Sequence, residues 1–441
     1  MRRIEEGHTG FSPQDATVLM DRFEPALSGE NNEIRQPEWG GVDQEPERAV
    51  RTTPDQSGQQ PTLKICCFGN AASIHTRRWV TYFSIRGFDV TLISVTPGIV
   101  PGVHMHVLGS SERPRKWDYL RSTLKARRIV RTLAPDIVHV HYAGGYGVMG
   151  ALIGWHPLIT TVWGSELLVV ARRSWLLRKV VQWILRSADL VTCTAQMMVG
   201  EIEQLGIDRS RIEMIPFGVD TAIFHSCEIL KPGLNEALTV VSTRALEPIY
   251  CVEVFLDALS KVLARFKNAR AVIVGNGMKR EALEARVKEL GIADRVRFEG
   301  AVAPERMSEI LQAADIYVST SPTDTNHVSL NEAMACGAFP VVTNIPANRE
   351  WLSDGETGLL VKPKDSDDLA EKLVRALEDR GLRTSAAARN RETVELRASF
   401  QGGMEANERL YRSLASRKFE MKGRRTAEEQ AVSVPHRQDQ L

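Results

Sequence analysis

Short apolar, β-branched runs alternate along this chain with stretches of helical periodicity. The first run, Leu63–Phe68, ends at a Gly69-Asn70 turn that leads into a helix through Trp79 and Tyr82. Further strands are predicted at Val90–Val95, Asp136–His141, Leu158–Val162 and Leu190–Thr194, with helical segments between them. A second series comprises Leu238–Ser242, Ala271–Val274, Val296–Phe298, Asp315–Ser319, Ala338–Val342 and Leu359–Val361. Strands that alternate with helices predict the α/β class, with parallel sheets covered on both faces. The polar stretch Ser226–Glu236, with Pro232 and Gly233, separates the series and predicts domains over 62–236 and 237–395. Ligands of open α/β sheets settle beyond the carboxyl ends of the strands, so two such domains face one another across a cleft.

Outside 62–416 the pattern stops. Residues 1–61 are rich in Glu, Gln, Pro, Gly and Asp, residues 417–441 resemble them, and both are expected to be disordered tails. A net charge of +1 argues against a general nucleic-acid binder. Neither an apolar run of spanning length nor a basic-then-apolar leader is present, so the expected location is cytoplasmic. Cysteines 66, 67, 193, 227, 251 and 336 lack CxxC spacing, which suits buried thiols in a reducing compartment.

The stretch Ser319–Leu360 concentrates the candidate chemistry, because it sets Asp324 and Glu332 around a helix start that follows a strand. Pro322 and Asn326 mark the turn, and the helix is predicted from Val328 to Cys336 with Leu330, Ala333 and Met334 on one face. First-turn N–H groups have no intrahelical partner, and the helix dipole favours an anion there. Each carboxylate also has a structural reading: Glu332 as a helix-stabilising side chain, Asp324 as a turn residue bonding the amides after it. Arg244 follows the strand VVST, where a guanidinium can grip a diphosphate bidentately. Gly275-Asn276-Gly277 closes the strand AVIV as a tight turn and lacks the third glycine of a dinucleotide fingerprint. His139 and His141 share one strand face. A structural role is expected for His139, whereas His141 and His75 are candidates to orient an acceptor hydroxyl. No third ligand has metal-binding spacing relative to the histidine pair, so no metal site is expected.

The chain resembles the family 4 glycosyltransferases of the GT-B fold, in which two Rossmann-like domains face a cleft. The resemblance rests on Asp324, seven residues and Glu332 in NEAMACGAFPVV, followed by DGETGLLV at 354–361. TVWGSE at 161–166, MIPFGVD at 214–220, Arg244, the GNG turn and VRFEG at 296–300 stand in family order. HTRRW at 75–79 and the EPIY segment resemble a subgroup common in surface-polysaccharide pathways. The resemblance implies retaining transfer from a UDP-, GDP- or ADP-sugar to a saccharide or lipid-linked acceptor, with no further cofactor. It gives Glu332 the ribose hydroxyls, Asp324 the transferred sugar, and Arg244 and the Gly69 backbone the diphosphate. The amides of Asn326, His327 and Val328, with Ser329 beside them, would face the sugar or phosphates, Gly275 and Asn276 would border the nucleotide, and Val302 would meet the base. A terminal helix at about 397–414, within 396–416, would return to the first domain. Four positions depart from the pattern: Asp324 replaces a glutamate, Ile249 a basic residue, Trp163 a histidine and Glu166 an aspartate.

Two alternatives use the same cleft: a related phosphorylase or nucleotide-sugar epimerase, and a non-catalytic nucleotide-sugar-binding scaffold. Location has a further signal. Arg113–Arg131 carries eight basic residues and one acidic, and Arg172–Arg186 carries five basic and none acidic, with Trp175, Trp183 and Ile184 among them. That pattern suits a helix lying on an anionic membrane, and equally a helix whose apolar stripe packs on the sheet.

Overall fold

The computed structural model describes residues 62–226 and 238–432, so the expected N-terminal tail and almost all of the polar break lie outside the described residues. The first domain holds a seven-stranded parallel sheet in the order β3-β2-β1-β4-β5-β6-β7. Its strands are β1 Lys64–Phe68, β2 Asp89–Ser94, β3 His104–Val107, β4 Ile137–His141, β5 Leu158–Val162, β6 Leu190–Cys193 and β7 Ile212–Met214. The second domain holds a six-stranded parallel sheet in the order β10-β9-β8-β11-β12-β13. It comprises β8 Thr239–Ser242, β9 Arg270–Val274, β10 Val296–Gly300, β11 Ile316–Ser319, β12 Phe339–Thr343 and β13 Leu359–Val361. The central strands are buried on both faces, which is why they read as nearly unbroken apolar runs.

Strands β3 and β7, which the apolar pattern does not announce, form the two edges of the first sheet. An edge strand needs only one neighbour and half a face of burial, so β3 keeps exposed ends at His104 and Val107.

Strand order reverses between β1 and β4 in one sheet and between β8 and β11 in the other. A crevice opens at such a switch point beyond the strand ends. The loops after β1 and β8 carry Gly69 and Arg244, and the loop after β11 carries Asp324.

The chain returns to the first domain through a bridge between Val219 and Ser399. A helix then runs from Phe400 to Val432, so 417–432, expected as tail, is helical backbone. No proline interrupts the sequence before Pro435, and Arg, Lys, Glu and Ala sustain the helix. Met404, Tyr411 and Ala415 pack against Ile65, Cys67, Phe83 and Ile137. Cys66, Cys67, Cys193, Cys251 and Cys336 are buried and in no disulfide, and Cys227 lies outside the described residues. Burial pushes the Cys193 thiol up to about 12. Among the described residues no helix is long and apolar enough to cross a membrane.

Candidate active site

The wall formed by the second domain is built on the helix Val328–Ala335, whose Leu330, Ala333 and Met334 are buried against the sheet. Beneath its start, His327 is held on both ring nitrogens: Nε2 lies 3.1 Å from the Tyr317 hydroxyl and Nδ1 2.7 Å from Asn348 Oδ1. Burial and then the Arg244 charge lower its pKa to about 4, so this neutral imidazole is a support for the loop. Among the described residues the backbone N–H groups of Asn326, His327 and Ser329 have no acceptor. The N–H of Val328 donates to the Asn326 carbonyl at 2.9 Å. Val328 therefore drops out of the expected donor set, because the tight turn into the helix consumes its proton.

Arg244 is already engaged. Its Nη2 donates to Asp324 Oδ2 at 2.8 Å, its Nη1 to Ser329 Oγ at 3.0 Å, and the guanidinium lies 4.2 Å from the Tyr250 ring centre. Burial alone would lift the Asp324 carboxyl, yet Arg244, His327 and the Thr325 N–H outweigh it and hold the pKa below its usual value. Asp324 thus orients Arg244, and the Ser329 hydroxyl is committed to the same guanidinium. Glu332 differs. It is half-buried, its carboxylate has no hydrogen-bond partner among the described residues, and burial, offset by Arg78 and Arg244, raises its pKa to about 7.

The glycine turn braces this wall and presents little of itself to a ligand. Gly275 sits at φ +137°, and a Cβ there would meet the Arg244 carbonyl oxygen at 2.6 Å. The Asn276 carbonyl accepts the Leu246 N–H at 3.0 Å, while its Oδ1 accepts Arg280 Nη1 at 2.8 Å. Gly275 and Asn276 therefore support the Arg244 loop. Val302 packs against the second-domain core.

On the first-domain wall, a Cβ at Gly69 would meet Thr76 Cγ2 at 2.8 Å and His141 Cβ at 3.4 Å. The protein's own packing thus requires glycine there. His75 stacks on Phe217 at 3.9 Å and meets Trp163 edge-on at 5.7 Å. Burial first and Arg78 second lower its pKa to about 4. His141, Nδ1 3.4 Å from Thr76 Oγ1, falls to about 3 through burial and the neighbouring His75. Both rings are neutral, as an acceptor-orienting imidazole must be. His139 is bonded on both sides, 2.6 Å from the Tyr411 hydroxyl and 2.6 Å from Thr161 Oγ1, and is structural.

The walls touch. Thr325 Oγ1 donates to the Trp163 carbonyl at 3.2 Å, and Asn326 Nδ2 to the Thr194 carbonyl at 3.0 Å. Gly164, at φ +122°, has room for no Cβ against Thr325. The Trp163 loop is fixed by Glu166, a buried carboxylate accepting N–H bonds from Ala143, Trp163 and Gly164 at 3.0, 3.1 and 2.8 Å. The departure at this position is thus a loop clamp, and composition alone could not show it. The remaining pocket, lined by His75, Arg78, His141, Trp163 and Phe217 among others, measures about 50 Å³. That is room for a few waters. Asp324 and Glu332 stand outside its lining, on the facing wall.

Two family models match this chain: a glycosyl transferase 4-like model over residues 64–195 and a glycosyl transferases group 1 model over 231–393. The chain belongs to the family 4 glycosyltransferases. It is 35% identical over 196 residues to a phosphatidyl-myo-inositol mannosyltransferase of Mycolicibacterium smegmatis, covering 44% of this chain and 49% of that one. It is 25% identical over 269 residues to the N-acetyl-alpha-D-glucosaminyl L-malate synthase of Bacillus anthracis, covering 59% and 70%. The match thus spans about half the length of the mannosyltransferase. Its fold is that of Anabaena HepE, solved in complex with UDP, at a TM-score of 0.68 and 18% identity over 80% of this chain and all of that one. The chain therefore has the GT-B fold of two parallel-sheet domains, and the residues described above lie on both sides of the contact between them.

Proposed function

We propose that this glycosyltransferase moves a hexose-type sugar from a nucleoside-diphosphate sugar to a saccharide or lipid-linked acceptor in surface-polysaccharide assembly, with retention of configuration and without a metal ion. The observation that carries this reading is the start of the helix Val328–Ala335. Unpaired N–H groups at Asn326, His327 and Ser329 stand beside the Arg244 guanidinium at the switch point of the second sheet. Such donors stabilise the charge that develops on a departing diphosphate. The anomeric carbon–oxygen bond to the diphosphate breaks as the acceptor oxygen bonds the same face, and the acceptor proton passes to the leaving phosphate oxygen. No side-chain nucleophile is required; Asp324 orients Arg244 and the sugar, and Glu332 receives the ribose hydroxyls.

Titrating the purified protein with UDP-, GDP- and ADP-sugars tests the donor. One of the three raises the unfolding midpoint in proportion to the logarithm of its concentration. No shift with any of them would end the donor assignment. Turnover of the donor without glycosylation of an acceptor would favour the phosphorylase or epimerase reading.

A membrane-facing acceptor is supported by one layer of the first domain. The helices Lys116–Leu133 and Trp175–Ser187 bury Ala126, Val130, Val181 and Ile184 in a common core. Trp183 packs there too and does not face a membrane, whereas Leu124 is 69% and Trp175 75% exposed beside exposed basic residues. The protein is expected to sediment with vesicles containing anionic phospholipid and to stay in solution with zwitterionic ones; equal behaviour with both would rule the surface out.

A further inference from the structure

The second-domain wall is short of positive charge for the ligand it is read to hold. Arg244 is balanced by Asp324 at 2.8 Å, and Glu332 adds a carboxylate one turn further along the helix. A nucleoside diphosphate ester brings two more negative charges. Partial charges at the helix start meet only part of that demand.

Arg78 stands across the gap, on the first-domain helix Ile74–Ile85 that follows the Gly69 turn. Among the described residues it is the only Lys or Arg lining the first-domain pocket that holds His75, His141 and Trp163. Its Nη2 is buried and has no hydrogen-bond partner among the described residues, a costly state for a guanidinium unless a ligand completes it. The group is held in place by the Phe400 ring, 4.1 Å from Cζ, so it is ordered before any ligand arrives. Among the carboxylates whose charge it feels is Glu332, on the second-domain helix Val328–Ala335.

We infer that Arg78 is a second diphosphate-binding cation, supplied from the first domain, whose Nη2 donates to a phosphate oxygen of the donor when the domains close on it. The inference rests on the nucleotide-sugar reading and names a residue that this reading does not include. It also gives closure a driving force, since the diphosphate is shared between the walls.

Isothermal titration with UDP, GDP and ADP and with the matching unphosphorylated nucleosides tests it on the wild type, Arg78→Met and Arg78→Lys. Methionine keeps an apolar stem beside Phe400, and lysine keeps the charge. Arg78→Met is expected to weaken the preferred diphosphate by about 10–100-fold, the loss of one charge-assisted bond. Nucleoside affinity stays unchanged, and Arg78→Lys recovers most of the diphosphate affinity. Equal losses for nucleoside and diphosphate would make Arg78 a packing residue, and an unchanged diphosphate affinity would remove it from the site. If the wild type bound none of the diphosphates, the donor reading itself would fall and the inference with it.

Discussion

Arg244→Ala will destabilise the second domain by about 3 kcal/mol and abolish donor binding. Arg244 and Asp324 are each only 12% exposed and lie 2.8 Å apart, so deleting the guanidinium strands a carboxylate in a poorly solvated loop. The loss is measured by urea unfolding of the full chain, with ligand affinity read separately. The double variant Arg244→Ala/Asp324→Ala will cost less than the sum of the single ones, because each single change leaves a partner unpaired, and a coupling of about 0.5–3 kcal/mol is expected. Strict additivity would show that the pair contributes nothing by itself. Acid gives a second readout. The native Asp324 pKa lies below the unfolded value, so its contribution is present above the unfolded pKa and is lost as pH falls through the depressed native one. Wild type should therefore weaken at acid pH more steeply than Asp324→Asn.

Most strands of both sheets were legible because central parallel strands are buried on both faces: Leu158–Val162 and Ile316–Ser319 are found within the limits that their apolar runs predict. The two edges of the first sheet were not. Ile212–Met214 is three residues long with an exposed Glu213 in its middle, and nothing local separates it from a loop. In the site, local spacing shows which helix start carries Asp324 and Glu332, since a helix start is a local event. It does not show that Arg244 closes on Asp324 from 80 residues away, or that Thr325 meets the Trp163 loop from 162 residues away. Those pairings follow from strand order and domain contact, which a single sequence leaves open. The same holds for the clamp at Glu166 and the position of Arg78, inside the segments TVWGSE and HTRRW.

Glu332→Gln should make the protein more stable and less able to bind donor, with the balance set by pH. The native carboxyl titrates at about 7, above its ordinary 4.5, because burial outweighs the attraction of Arg78 and Arg244. The folded state then binds more protons than the unfolded chain between these two values, so wild-type stability falls as pH rises through that window. Glutamine has no proton to lose. Relative to wild type it should gain on the order of 2 kcal/mol at pH 8 and almost nothing at pH 4, a difference that paired denaturation curves will resolve. A gain of equal size at both pH values would assign the effect to packing. Donor binding runs the other way. Two ribose hydroxyls need a carboxylate that accepts from both, and an amide offers one acceptor oxygen, so affinity should drop about 10–100-fold. Wild-type affinity should also fall as pH drops below 7, where a proton competes with the ribose, while the glutamine variant stays flat. A stability gain in Glu332→Gln paired with a loss of affinity is the outcome expected of a group retained for its ligand.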